Sequence, residues 1–163
     1  MAGTPPKLDE CLAAVGKVTH MESTVDLVLL NAFVVLSGCT HIVGRAIWYA
    51  GDASAVRHNL LSRVAEVSGD GAEREIVQNL ITASKKATKN RNELAHSIFS
   101  TDDTGKGSFR SIRPKLLTQP HKPVTDEYIA SLVSAVGDGL ELALVQYRIL
   151  CHKRKIPVQL TAV

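Results

Sequence analysis

An all-α fold, four to five helices in one bundle with a long irregular segment before the last, is what this chain predicts. Three observations carry that prediction. Hydrophobic residues make up 45% of the 163 positions but aromatics only 4%, so the core has to be built from Leu, Val, Ile and Ala. That composition suits packed helices better than sheets, in which aromatic and β-branched residues alternate. Between Val18 and Leu36, apolar residues recur at steps of three and four (Val18, Met21, Val25, Val28, Leu29, Ala32, Val35, Leu36), the period of a helix. The same period returns from Ile129 to Leu150 through Leu132, Val133, Val136, Leu140, Ala143, Leu144 and Tyr147.

The elements follow in order. Residues 1–6 form a flexible end, residues 7–155 a single helical domain and residues 156–163 a tail. The first helix runs from Lys7 to about Ser37, with Gly16 as a point of bending and Gly38 as its C-cap. From Leu27 to Leu36 only Asn31 is polar, so this stretch is expected at the centre of the bundle. Residues 41–50 read as a short helix carrying Ile42, Ala46, Ile47 and the only tryptophan, Trp48, which is expected in the core. A third helix, about 54–67, takes its cap from Asp52 or Ser54 and sets Val56, Leu60, Val64 and Val67 on one face. Ser68-Gly69-Asp70-Gly71 is a turn. The fourth helix, about Ala72 to Ser97, keeps a stripe of Ile76, Val77, Leu80, Ser84, Ala87, Arg91, Leu94, Ala95 and Ile98.

Residues 100–124 hold Gly105, Gly107, Pro114, Pro120 and Pro123 and no sustained period, apart from a short hairpin around Ser108–Ile112. A long irregular stretch inside a small domain is either functional or unfolded. Thr125 caps the last helix, Asp126 and Glu127 suit the positive end of its dipole, and Lys153-Arg154-Lys155 suits the other end as a solvated terminus. Gly137 and Gly139 each cost about 1 kcal/mol in a helix interior, which a close helix neighbour would offset.

Charge and cysteine narrow the function classes. The net charge of +3 is uneven: residues 1–84 carry 6 Lys/Arg against 9 Asp/Glu, and residues 85–163 carry 13 against 7. The basic half points to an anionic partner. Cys11, Cys39 and Cys151 are odd in number, far apart and without a Cys-x-x-Cys pair. A disulfide framework is therefore not expected, and a reducing cytoplasm is. Neither a signal-peptide pattern nor a bilayer-spanning run is read, so no membrane association is expected. No metal or cofactor is expected either.

The most informative stretch is Arg91-Asn92-Glu93-Leu94-Ala95-His96. Arginine is a fixed cation with a planar fork of donors suited to phosphate, and histidine moves protons near neutral pH. RNA is cleaved when its own 2′-hydroxyl attacks the adjacent phosphorus, which calls for a proton carrier and a cation at the phosphoryl oxygens. His96 and Arg91 supply these types, and Asn92 can hold the imidazole or a phosphate oxygen. Lys85 and Lys89 share the Asn92/His96 face, and Arg110 and Arg113 follow in the irregular segment, as candidate RNA contacts. On an ideal helix Arg91 and His96 lie about 140° apart, so convergence needs a distorted helix end, a long reach, or a second copy.

Arg91-Asn92-x-x-Ala95-His96 resembles the Arg-x(4–6)-His motif of the HEPN superfamily, the higher-eukaryote and prokaryote nucleotide-binding domains. In that family the motif lies late in a helix of an all-α bundle, with a polar residue, often Asn, after the Arg. The resemblance implies a homodimer with facing motifs. It also implies metal-independent endoribonuclease or RNA-binding activity of the bacterial defence, stress or toxin–antitoxin kind, with an antitoxin or other protein as a further partner. Catalytic roles for Arg91 and His96 and a supporting one for Asn92 come with it. The alternative is a non-catalytic helical dimer module that binds a protein or nucleotide. On that view Arg91 pairs with an acid such as Asp26 or Glu22, and His96 merely ends a helix.

Overall fold

The computed structural model describes residues 8–95, 97–101, 107–111, 122–123 and 125–160. Among them the fold is all-α: α1 (Leu8–Ser37), α2 (His41–Tyr49), α3 (Ser54–Ser68), α4 (Gly71–Ala95) and α5 (Asp126–Lys153). Three short strands, β1 (Ser97–Thr101), β2 (Gly107–Ser111) and β3 (Lys122–Pro123), accompany them. The chain divides into two compact units. One holds residues 1–22 and 86–138, the other residues 23–85 and 139–163, so α1, α4 and α5 each contribute to both.

In the unit of residues 23–85 and 139–163 the core is aliphatic, as the composition requires. Val25, Val28, Leu29, Leu30, Leu36, Leu61, Val77, Leu80, Leu150 and Trp48 are all at most 2% exposed. Asn31 is buried within α1, and its amide donates to the Leu27 carbonyl at 2.8 Å, which removes the cost of an unpaired polar group. Gly38 ends α1 with a left-handed φ of 67°, and its N–H donates to the Val34 carbonyl at 3.0 Å. Thr40 caps α2 by accepting from the Val43 N–H. Within α2 only Gly44 and Trp48 are buried, and Ile42 is 82% exposed. Gly44 is required there: a Cβ would lie 2.5 Å from Val34 Cγ2. Trp48 packs on Phe33 with ring centroids 5.8 Å apart, and its Nε1 donates to Asp26 Oδ2 at 3.5 Å.

The α3 helix departs from its sequence reading. Its N-cap is Ala53, which makes no side-chain cap bond. Its buried face is His58, Leu61 and Ala65, whereas Val56 and Val67 are exposed. The buried face differs from the valine stripe because a histidine takes a core position on it. His58 Nε2 lies 3.0 Å from Ser84 Oγ, a partner on α4 that satisfies it. Burial first, then the cations Lys85 and Arg57, hold the His58 pKa below its ordinary value. Between the folded and unfolded pKa values the unfolded chain therefore binds more protons. The stability that neutral His58 supplies is full above about pH 6.5 and is lost as the pH falls through that region. Urea unfolding should show a decline from about pH 7.5 to about pH 5.5 that is flattened in His58→Gln. Equal slopes in the two proteins would show that His58 is not the group being titrated.

A capping box opens α4: the Glu73 N–H donates to Asp70 Oδ1 at 3.0 Å, and the Asp70 N–H donates to Glu73 Oε2 at 2.9 Å. The other end of this unit's chain is closed on the same residues. Arg154, just past α5, donates through Nε and Nη2 to the two Glu73 oxygens at 2.5 and 2.9 Å, and through Nη2 to the Ser68 carbonyl at 2.8 Å. Lys153 Nζ lies 2.6 Å from Asp70 Oδ2. After α5, Lys155 takes a left-handed φ of 56°, and the Ile156 N–H donates to the Cys151 carbonyl at 3.0 Å. The Tyr147 hydroxyl donates to the Gln159 carbonyl at 2.8 Å, which ties down part of the tail.

In the unit of residues 1–22 and 86–138 the buried residues among those described are Cys11, Val18, Ala87, Leu94, Ile129, Leu132 and Val136. Asp9 and Glu10 in the first turn of α1 complement its dipole, and α1 continues through Gly16 as one helix. Thr125 caps α5 by accepting from the Tyr128 N–H at 3.1 Å. A Cβ at Gly137 would meet only Met21 Sδ, at 4.0 Å, so the backbone there is not closely approached by a neighbour. The strands form one antiparallel sheet in the order β1-β2-β3. Phe99 pairs with Phe109, and Phe109 in turn with Lys122. The hairpin thus begins at Ser97, where the sequence reading still had helix.

By length and composition alone, α1 over Asp9–Ser37 and α5 over Asp126–Lys153 are long and apolar enough to cross a bilayer. Much of the apolar character of α1 is accounted for by the core residues above, whereas α5 leaves Leu142, Val145 and Ile149 exposed at helical spacing on one face.

Candidate functional site around Arg91

Arg91 sits one turn before the end of α4, on the stripe that also carries the buried Ala87 and Leu94. A guanidinium on a core-facing stripe needs a counter-charge. It finds Glu22, with Arg91 Nη2 3.5 Å from Glu22 Oε1 and the two side chains 28% and 19% exposed. Of the two acids the sequence offered, Asp26 is committed elsewhere. Arg57 Nε is 3.3 Å from Asp26 Oδ1 without the angle of a hydrogen bond, and Trp48 donates to the other oxygen.

The contact between Arg91 and Glu22 is long for a hydrogen bond. The Nε of Arg91 is buried and has no hydrogen-bond partner among the described residues. Thr88, three residues before Arg91 on the same helix, donates its hydroxyl to the same Glu22 Oε1 at 3.0 Å. The site is therefore a carboxylate tied by Thr88 and a partly exposed guanidinium with donors to spare.

The neighbouring residues fill out the picture. Asn92 is half-buried. The Tyr128 hydroxyl, in the first turn of α5, donates to Glu93 Oε1 and so links the motif turn to α5. Burial, then Glu93, pushes the Tyr128 hydroxyl well above the usual phenol range. Neither Thr88 nor Tyr128 was singled out from the sequence. Thr88 had a usable signal, since it stands three residues before Arg91 and so shares its face. Tyr128 had none, because its partner is 35 residues away.

Lys85 and Lys89 are exposed on α4, four residues apart. Arg110 lies in β2, opposite Ile98 of β1. His96 and Arg113 lie outside the described residues. The helix ends at Ala95 and the strand starts at Ser97. Among the described residues no three His, Cys, Asp or Glu side chains cluster as metal ligands would. No protein-family model matches the chain, and comparisons with curated proteins and with solved structures gave no significant match.

Proposed function

We propose that this protein is a HEPN-like RNA-binding protein and metal-independent endoribonuclease that works as a homodimer, with Arg91 and His96 as its catalytic pair. The observation that supports this most is the state of Arg91. It is a partly exposed arginine on the motif helix, held by one loose ion pair. A guanidinium so placed can take up a phosphoryl oxygen without first breaking a strong bond. In the proposed reaction the 2′-hydroxyl oxygen forms a bond to phosphorus and the bond from phosphorus to the 5′-oxygen breaks. Protons leave the first oxygen and reach the second through His96, while Arg91 holds charge on the non-bridging oxygens. Asn92 supports, and Lys85, Lys89, Arg110 and Arg113 hold the RNA backbone. A bacterial defence, stress or toxin–antitoxin setting in the cytoplasm fits such an activity.

One observation favours a second reading. Glu22 by itself gives Arg91 a structural reason to exist, as in a helical module that binds a protein or nucleotide without cleaving RNA. Incubation with a single-stranded RNA in EDTA separates the two. The nuclease reading expects products ending in a 2′,3′-cyclic phosphate and a 5′-hydroxyl, with the matching DNA left intact because it lacks the attacking hydroxyl. Intact RNA at micromolar enzyme would leave the module.

A further inference from the structure

We propose that Glu22 is a built-in competitor for Arg91: its carboxylate occupies the guanidinium until a phosphate displaces it, and so sets how weakly the free site holds anions. The proposal rests on reading Arg91 as the phosphate-binding group. It comes from comparing two arginine–glutamate pairs in the same chain. Arg154 grips Glu73 with both prongs of its fork, at 2.5 and 2.9 Å, and the Glu73 side chain is only 6% exposed. That is how a permanent lock is built. Arg91 meets Glu22 through a single nitrogen at 3.5 Å, with the carboxylate 19% exposed and Nε unused.

Thr88 makes the difference functional. Its hydroxyl anchors Glu22 Oε1 at 3.0 Å independently of Arg91. When the guanidinium turns to a phosphate, the carboxylate keeps one hydrogen bond and partial contact with water, so release strands no bare buried charge. What opposes binding is the pair itself: the guanidinium gives up its contact with Glu22 before it holds a phosphate, and that loss is subtracted from the affinity.

Binding is best read with a 2′-O-methylated RNA oligonucleotide, which cannot be cleaved by its own hydroxyl, using fluorescence anisotropy at fixed ionic strength. Glu22→Gln keeps an oxygen for Thr88 and removes the charge. It is expected to tighten binding by about three- to fivefold. Arg91→Ala should weaken binding, and in the Arg91→Ala background Glu22→Gln should have no effect. If Glu22→Gln is folded by thermal melt and binds no more tightly than wild type while Arg91→Ala weakens binding, Glu22 is only a holder; the proposal fails and the Arg91 reading stands. Equal tightening in both backgrounds would mark a general charge effect and overturn the proposal as well. If Arg91→Ala binds like wild type, the phosphate-binding reading falls and takes the proposal with it. Should Glu22→Gln not fold, Glu22→Asp, which keeps the charge but shortens its reach to Arg91, is expected to tighten binding by a smaller factor. No tightening there would count against the proposal equally.

Discussion

Arg154→Ala is expected to lower the unfolding free energy by about 2–3 kcal/mol, which for a chain of this size is a fall in Tm on the order of 5–10 °C. Glu73 is only 4% exposed, and both of its oxygens are engaged by Arg154. Removing the arginine leaves a carboxylate that has lost water and has only the Asp70 N–H of the capping box in exchange. Breaking a fully buried pair costs about 3–5 kcal/mol. The lower figure applies because Arg154 itself is 30% exposed and water can enter the gap it leaves. The Ser68 carbonyl loses a donor in the same change.

Arg154→Lys should recover only part of the loss, since an ammonium cannot span both oxygens. The pH dependence carries the same signature. The Arg154 guanidinium, and after it the Asp70 backbone, hold the Glu73 carboxyl below its ordinary value of 4.5. The stability this provides is present above that value and is lost as the pH falls through the folded-state pKa. Urea denaturation of wild type and Arg154→Ala should therefore converge as the solution is made more acidic than about pH 4.5. A loss below about 0.5 kcal/mol at neutral pH would mean that the pair behaves as an ordinary surface ion pair.

That arginine also shows where sequence reading stops. Lys153-Arg154-Lys155 has the composition of a solvated helix end, and nothing local distinguishes the middle residue. Its partner lies 81 positions away. Glu73 was legible as a first-turn acid, but not as the acid half of a lock. The helices themselves were legible because each keeps a 3.6-residue apolar period strong enough to survive single polar substitutions. The faces were less so. On α3, Val56 and Val67 look like core by type, yet the buried side is His58, Leu61 and Ala65, because a histidine that finds Ser84 can be buried at little cost. The end of α4 was placed two residues too late, since Ile98 continued the apolar spacing by chance while its backbone pairs with Arg110 in the sheet. At the candidate site the sequence offers an acid such as Asp26 or Glu22 as the counter-charge of Arg91 on the non-catalytic reading. The structure pairs Arg91 with Glu22, at 3.5 Å, while Asp26 meets Trp48 and Arg57.

The largest effects are expected at the motif. His96→Ala should reduce RNA cleavage at least about 100-fold, because proton transfer by a placed side chain is worth about 10²–10⁴. Arg91→Ala should reduce it by about 10²–10³, the scale for losing a preorganised donor to a developing oxyanion. Arg91→Lys should retain binding better than turnover, since a lysine keeps the charge but not the fork. The stability consequences differ and must be read beside the rates. Arg91→Ala removes an ion pair with partners 28% and 19% exposed, for which about 1 kcal/mol is a fair ceiling after screening by solvent. Glu22 keeps Thr88 as a partner in that variant, so the protein should stay folded and its lost activity should be chemical. Asn92→Ala should act more weakly, as a residue that only steadies the imidazole or a phosphate oxygen. The decisive comparison is the rate of His96→Ala at saturating RNA, with a thermal melt showing it folded. A folded His96→Ala protein that cleaves at the wild-type rate would remove His96 as the proton carrier and with it the proposed catalytic pair. A folded protein that still binds 2′-O-methyl RNA but no longer cleaves the natural strand would tie the chemistry to the histidine and the binding to the cations around it.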